Sequence, residues 1–231
     1  MKLSVLIPVF NERQTILPLI EGVCRADAGM AKEVLVADDG STDGTRDLLS
    51  QVTHPDVRIL MLEKNVGRGG VLKHLWTVAT GDIYLHQDAD LEYDPAEYDR
   101  LVEPIVAGRA DVVLGSRFLG SIAGMRFANR VGNLLMSASY RLLYGVAVTD
   151  LMTCYKVYRA GLVRDLRIDA NGFDFEAEFL SRLAQRGARF AEVPVSFVGR
   201  TVEEGKKIRA FDAVRVMRRL LHCRVTGPSH G

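Results

Sequence analysis

At 231 residues, 48% hydrophobic and 26% charged, the chain can bury a full core and is too apolar for a disordered or collagen-like class. Lys and Arg total 30 against 29 Asp and Glu, but residues 200–231 hold eight basic groups against three acidic ones, leaving 22 against 26 in the body. Cys24, Cys154 and Cys223 are too few and too scattered for a disulfide framework and show no zinc-ligand spacing, which points to a reducing cytosol.

The first apolar run, Leu3 to Val9, is too short for a secretory signal and reads as a buried strand. Further β-rich runs follow at Glu33 to Ala37, Val57 to Leu62, Ile83 to His86 and Val112 to Gly115. Between them Thr15 to Cys24, Thr45 to Val52, Val71 to Ala79 and Ala96 to Ala107 place apolar residues at three- and four-residue spacing, the pattern of covering helices. Such alternation predicts an α/β protein with a mostly parallel central sheet flanked by helices. After Ser116 the alternation fades into a helix at about Val131 to Tyr144, a strand at Thr153 to Arg159, a helix at about Glu176 to Arg186 and a strand at Phe190 to Phe197. The uncharged run from Val131 to Tyr140 is about half of what a bilayer-spanning helix needs. No repeat or flexible linker divides the chain, so residues 1–208 read as one domain. Residues 209–231 read as an appended basic helix with a short tail, its apolar positions Phe211, Val214, Met217 and Leu221 set against Arg215, Arg218 and Arg219. That helix either lies on an anionic bilayer or packs on the body. Its arginines lack interleaved aromatics, which argues against nucleic acid as a partner.

In open α/β sheets ligands bind beyond the carboxyl ends of the strands, and acidic residues gather there. Asp38-Asp39-Gly40 follows the second strand and Asp88-Ala89-Asp90-Leu91-Glu92 the fourth. Side chains two apart on an extended segment share a side, so Asp88 and Asp90 are expected to face one hard cation, Mg2+ or Mn2+, held against a diphosphate. Asn65-Val66-Gly67-Arg68-Gly69-Gly70 offers backbone N–H groups and a guanidinium to an anion, and it fits neither a dinucleotide fingerprint nor a Walker A loop.

Taken together, Pro8-Val9-Phe10-Asn11-Glu12, Asp38 to Thr45, Asn65 to Gly69, Asp88 to Pro95 and Gly115-Ser116-Arg117-Phe118 resemble family 2 glycosyltransferases in order and spacing. Asp150, Thr153 to Arg159, Gly172 to Glu176, Glu192 to Val195 and Gly199 to Ile208 are similar to the dolichol-phosphate mannosyltransferase and polyprenyl-phosphate glycosyltransferase branch. The resemblance implies a nucleotide-sugar-binding fold of the GT-A type and transfer with inversion at the anomeric carbon. It implies that Pro8, Phe10, Glu12, Asp39 and Gly40 surround the nucleoside, with Arg68 where a lysine is more usual, and that Asp88 and Asp90, helped by Glu92, hold the metal. The donor is then a GDP- or UDP-hexose, mannose or glucose.

Two acceptor classes stay open. A polyprenyl phosphate is already an oxyanion at neutral pH and needs cations to hold it, for which Arg117, Arg130 and Arg200 are the candidates, with Lys206 and Lys207 as a clamp beside Gly205. A hydroxyl of a small molecule or glycan needs a base, and Asp150, Asp174 and Glu176 are the candidates. Related chains often end in hydrophobic segments, whereas this one runs to Gly227-Pro228-Ser229-His230-Gly231, which weakens the lipid reading. A silent nucleotide-sugar-binding protein is the non-enzymatic rival, and the paired Asp88 and Asp90 argue against it. The expected location is the cytoplasm, with peripheral contact at the cytosolic membrane face.

Overall fold

The computed structural model describes residues 1–200 and 210–227. Among the described residues seven strands form one sheet: β1 (Lys2–Val9), β2 (Ala31–Asp38), β3 (Val57–Met61), β4 (Ile83–His86), β5 (Val112–Ala123), β6 (Lys156–Arg159) and β7 (Phe190–Val198), in the order β3-β2-β1-β4-β6-β5-β7. β6 runs antiparallel to both neighbours, β4 and β5, while the β3–β2, β2–β1, β1–β4 and β5–β7 pairs are parallel. The second half of the chain therefore completes the sheet of the first. No separate layer is added.

The helices are α1 (Ile16–Arg25), α2 (Thr45–Leu49), α3 (Arg68–Val78), α4 (Tyr98–Val106), α5 (Phe127–Tyr144), α6 (Phe175–Gln185) and α7 (Ala210–Thr226). Strand periodicity explains the two cores. Leu3, Val5, Ile7 and Val9 of β1 point to a cluster with Leu19 and Val23 of α1 and Leu101 and Ile105 of α4. Leu6 points the other way, to a cluster holding Leu72 and Leu75 of α3, Tyr140 of α5, Phe179 and Leu183 of α6, and Val216 and Leu220 of α7. With both faces covered, the central strands have no solvent side, so their sequences read as continuous apolar runs.

Two elements differ from their sequence expectation. β5 continues through Arg117 and Phe118 to Ala123, its pairing with β7 interrupted between Ser116 and Ser121, so a polar and glycine-containing stretch is still strand. α7 packs on α6 and α5, and its buried residues are Val216, Leu220 and Cys223. Of the face expected from the sequence, Val214 and Leu221 are exposed and Met217 is half-buried, and the Phe211 side chain lies outside the described residues. The boundary expected at 208/209 lies outside the described residues as well. Among the described residues no helix is long and apolar enough to cross a membrane.

Candidate active site

The loops after β1 and β2 lock together. Asn11 donates its N–H to Ser41 Oγ (2.8 Å) and accepts from Thr42 N–H through Oδ1 (2.9 Å), and Glu12 N–H donates to Thr45 Oγ1 (3.0 Å). Asp38 is fully buried and accepts from the Gly40 and Ser41 N–H groups, both at 3.1 Å, so the first acid of the doublet is spent on the turn. Gly40 serves that turn too: its φ is 76°, and a Cβ there would stand 3.2 Å from Asn65 N. Asp39 comes next and reaches the cavity wall, where its oxygens accept from Val66 N–H (2.7 Å) and Gly67 N–H (2.9 Å). Burial pushes its carboxyl up despite those bonds.

The glycine turn is used differently from the sequence expectation. Val66 and Gly67 N–H are taken by Asp39, and Gly69 N–H donates to Asn171 O at 2.8 Å, so these donors face protein rather than an anion. Gly67 has φ 80°, and a Cβ there would come within 2.6 Å of Asn171 O. The Arg68 guanidinium turns inward, with Nε and Nη2 3.0 and 2.9 Å from Asp88 Oδ1 and Nη1 bonded to Glu176. Glu176 in turn pairs with the fully buried Lys156 at 2.9 Å. Burial alone would raise the Glu176 carboxyl, but Lys156 and Arg68 together hold it down to about 2.

Asp88 and Asp90 both line a cavity of about 380 Å3 at the ends of β1, β2 and β4, together with Pro8, Phe10, Glu12, Asp39, Glu92, Phe173 and Arg200. Their partners are separate. Asp88 is held by Arg68, whereas Asp90 Oδ2 lies 2.9 Å from Nη2 of Arg200, whose Nη1 is 2.9 Å from Glu12. The backbone turns at Leu91, where φ is 60°. Burial pushes the Asp90 carboxyl up to about 7, with the charges of Asp88 and Glu92 adding to the rise and Arg200 only partly offsetting them. Glu12, Asp39, Asp88, Asp90 and Glu92 line this cavity with Arg68 and Arg200, so carboxylates outnumber the guanidiniums. No set of three His, Cys, Asp or Glu side chains forms a ready metal cage among the described residues. The donor chemistry fits a hard dication that takes one or two carboxylates here and its other ligands from substrate phosphates and water.

A second cavity of about 450 Å3 shares Arg68, Asp88, Glu92 and Phe173 with the first. Arg117, Arg126, Met125, Met136, Met152, Phe197 and Val216 give it a mixed cationic and apolar lining. The two chambers adjoin at the Asp-Ala-Asp segment: carboxylates outnumber guanidiniums in the first, whereas Arg68, Arg117 and Arg126 balance Asp88, Glu92 and Glu176 in the second, beside its apolar wall.

Residues 4–167 match the profile of Glycosyl transferase family 2. The chain belongs to that family. It is 33% identical over 216 residues to an undecaprenyl-phosphate mannosyltransferase of Micrococcus luteus, covering 89% of this chain and 87% of the other. It is 30% identical over 213 residues to a polyprenol monophosphomannose synthase of Mycolicibacterium smegmatis, covering 87% and 79%. Among solved structures, glucosyl-3-phosphoglycerate synthase of Mycobacterium tuberculosis superposes with a TM-score of 0.74 at 24% identity, covering 100% of this chain and 82% of that one. The same enzyme solved with Mn2+, uridine diphosphate and glucosyl-3-phosphoglycerate gives 0.73 at 23% identity, with 100% and 82% coverage. The fold is GT-A, and the chain is a glycosyltransferase.

Within this family 2 fold the remaining candidate residues differ in their relation to the two cavities. Arg117 reaches the second cavity, stands 5.1 Å from the Phe197 ring centroid and forms a fork on Asp150, with Nε–Oδ2 and Nη2–Oδ1 both 2.7 Å. Asp150 is fully buried and also accepts from Asn133. Arg200 reaches the first cavity and bridges Glu12 to Asp90. Arg130 lines neither cavity. It is exposed, 5.9 Å from the Phe118 ring centroid, because it lies beyond the face of α5 that carries Asn129, Asn133 and Met136. Arg126, one turn earlier, occupies the cavity wall instead, a residue that sequence reasoning passed over because it precedes the uncharged run. Asp174 sits at a separate cleft, paired with Arg219 of α7 at 2.8 Å. Lys206 and Lys207 lie outside the described residues.

Proposed function

We propose that the chain transfers a hexose, mannose or glucose, from a GDP- or UDP-sugar to a polyprenyl phosphate, with inversion and with a divalent ion, at the cytosolic face of a membrane. One observation carries the choice of acceptor. Each carboxylate considered as a base is occupied: Asp150 by Arg117 and Asn133, Asp174 by Arg219, and Glu176 by Arg68 and Lys156. Each is thus already engaged by a cation, which disfavours its use as the base that a hydroxyl acceptor needs. A phosphate monoester, with its second pKa at about 6, arrives as its own nucleophile.

In the reaction an acceptor phosphate oxygen bonds to the anomeric carbon as the bond from that carbon to the β-phosphate oxygen breaks, and the nucleoside diphosphate leaves with the electron pair. No proton changes hands. Arg117 uses Nε and Nη2 on Asp150, so Nη1 is the edge that meets an incoming anion, and Asp150 fixes the guanidinium plane. Arg126 adds charge to the same chamber, and the methionines and Phe197 suit an apolar chain. Asp39 and the loop from Pro8 to Glu12 receive the nucleoside. Asp88 and Asp90, with Glu92 beside them, would hold Mg2+ or Mn2+, and the bound ion supplies Lewis-acid stabilisation of the charge that develops on the β-phosphate. The named activities of the Micrococcus and Mycolicibacterium relatives, and the Mn2+ and uridine diphosphate carried by the solved neighbour, support this reading.

The test is transfer from radiolabelled GDP-mannose and UDP-glucose to undecaprenyl phosphate in detergent. The expected result is an organic-phase product that disappears with chelator and returns with Mn2+. Label moving solely to a water-soluble alcohol or phosphate would refute the lipid acceptor.

A further inference from the structure

α5 is amphipathic in the wrong sense for a helix bathed in water. Its buried side chains are Asn133, Ser137 and Tyr140, whereas Phe127 (79%), Leu135 (62%), Leu142 (86%), Leu134 (45%) and Val131 (38%) are exposed. At about 100° per residue these five fall in one sector about 100° wide, a continuous stripe running the length of the helix. The helix contains no acidic residue, and Arg130 and Arg141 stand exposed beside the stripe, with Arg126 at its N-terminal end. α7 packs against α5 and repeats the chemistry, exposing Val214, Leu221 and Val225 with Arg215, Arg218 and Arg224. An exposed apolar stripe of this length marks a contact surface rather than ordinary surface variation.

We infer that the outer face of α5, extended by α7, is the seat of the protein on an anionic lipid surface. Charge selects this occupant. A second copy placed across the stripe would bring arginines against arginines, with no acid on either α5 to relieve them, whereas anionic headgroups complement them. Position agrees, since the neighbouring face of α5 (Ala128, Asn129, Gly132, Asn133 and Met136) lines the second cavity. A bilayer against the stripe therefore lies beside the chamber assigned to the acceptor. The sequence offers the C-terminal helix as a bilayer contact or as a helix packed on the body; the larger apolar face belongs to α5. The inference rests on the lipid-acceptor reading for its purpose but is measured apart from it.

The experiment is co-flotation of the full chain with vesicles of phosphatidylcholine alone and of phosphatidylcholine with phosphatidylglycerol, both free of polyprenyl phosphate. The wild type is expected to float with the anionic vesicles at least tenfold more than with the neutral ones, and to be released by high salt. The double variant Leu135→Glu, Leu142→Glu is expected to lose that binding at least tenfold while keeping its melting temperature, because both side chains are exposed. Equal flotation of variant and wild type, or no flotation of the wild type, overturns the inference. So does a concentration-dependent dimer of the wild type that the variant dissolves, which would assign the face to a second copy. Transfer to undecaprenyl phosphate in detergent separates the two readings. Activity without flotation removes the surface and leaves the acceptor, and flotation without activity does the reverse.

Discussion

Arg200 and Asp90, 110 positions apart in the chain, meet in a 2.9 Å ion pair that also draws in Glu12. The pair ties the end of β7 to the loops after β1 and β4, and it sets a cation on Asp90 while that carboxyl is pushed up by burial and by Asp88 and Glu92. Removing the guanidinium takes this positive charge away from Asp90 and Glu12. Arg200→Ala is expected to lower transfer on the order of 10²-fold, the cost of losing one preorganised charge next to a reacting diphosphate. Arg200→Lys keeps charge without the fork and should recover part of it. Steady-state kinetics with GDP- and UDP-sugars checks both; wild-type rates in Arg200→Ala would remove Arg200 from the site.

Asp90→Asn tests the ion itself. With Mn2+, a nucleoside diphosphate should raise the melting temperature of the wild type, because binding to the folded state stabilises it. The variant should show the nucleotide's effect without any added contribution from Mn2+. An unchanged metal-dependent shift would place the ion elsewhere.

Glu176 separates a structural role from a catalytic one. It lies between Arg68 and Lys156, and burial makes an unpaired cation there costly. Glu176→Ala is expected to destabilise the fold by about 3–5 kcal/mol, the range for breaking a buried ion pair from one side. Denaturant unfolding measures it. If Glu176 were a base, the variant would instead retain stability and lose turnover.

Much of this was legible in the sequence, and the failures have physical causes. Apolar strands buried on both faces announce themselves as continuous runs, so β1, β2 and β4 and the acids that follow them stood out. β5 was cut short because Ser116, Arg117 and Gly120 interrupt its apolar run, although pairing with β7 carries the strand past them. Asp88 and Asp90 looked like a matched pair from two-residue spacing alone. Their partition between Arg68 and Arg200 depends on contacts across the fold, which local periodicity does not encode. The outward turn of the apolar residues of α5 is illegible for a related reason: periodicity shows that a helix has an apolar face and not which way that face turns.

Asp150→Asn distinguishes the acceptor classes by pH. With a phosphate nucleophile, activity should fall below about pH 6 as the acceptor takes up a proton, in wild type and variant alike. The variant should lose rate through a loosened Arg117, with no shift in that acid limb. A limb that vanishes with Asp150 would reveal a base and favour a hydroxyl acceptor. The pH dependence of transfer for the two proteins decides it.

His86 sets an acid limit on stability. It is fully buried, its Nε2 shares a hydrogen bond with the Tyr158 hydroxyl (2.7 Å), and that hydroxyl accepts from Trp76 Nε1 (2.6 Å). Burial drives the His86 pKa down to about 3, against about 6.5 when unfolded. Between those values the unfolded state binds the extra proton, so stability rises with pH across the window and is lost as pH falls, by up to about 5 kcal/mol in full. Glu176 acts in the same direction only below its unfolded value of about 4.5, and Asp90, shifted upward, acts in the opposite direction. The difference between wild type and His86→Phe, measured by urea unfolding at pH 7 and pH 5, removes those shared contributions. The expected outcome is that the wild type loses more stability than the variant between the two pH values; parallel losses would mean that His86 carries its proton in the folded state.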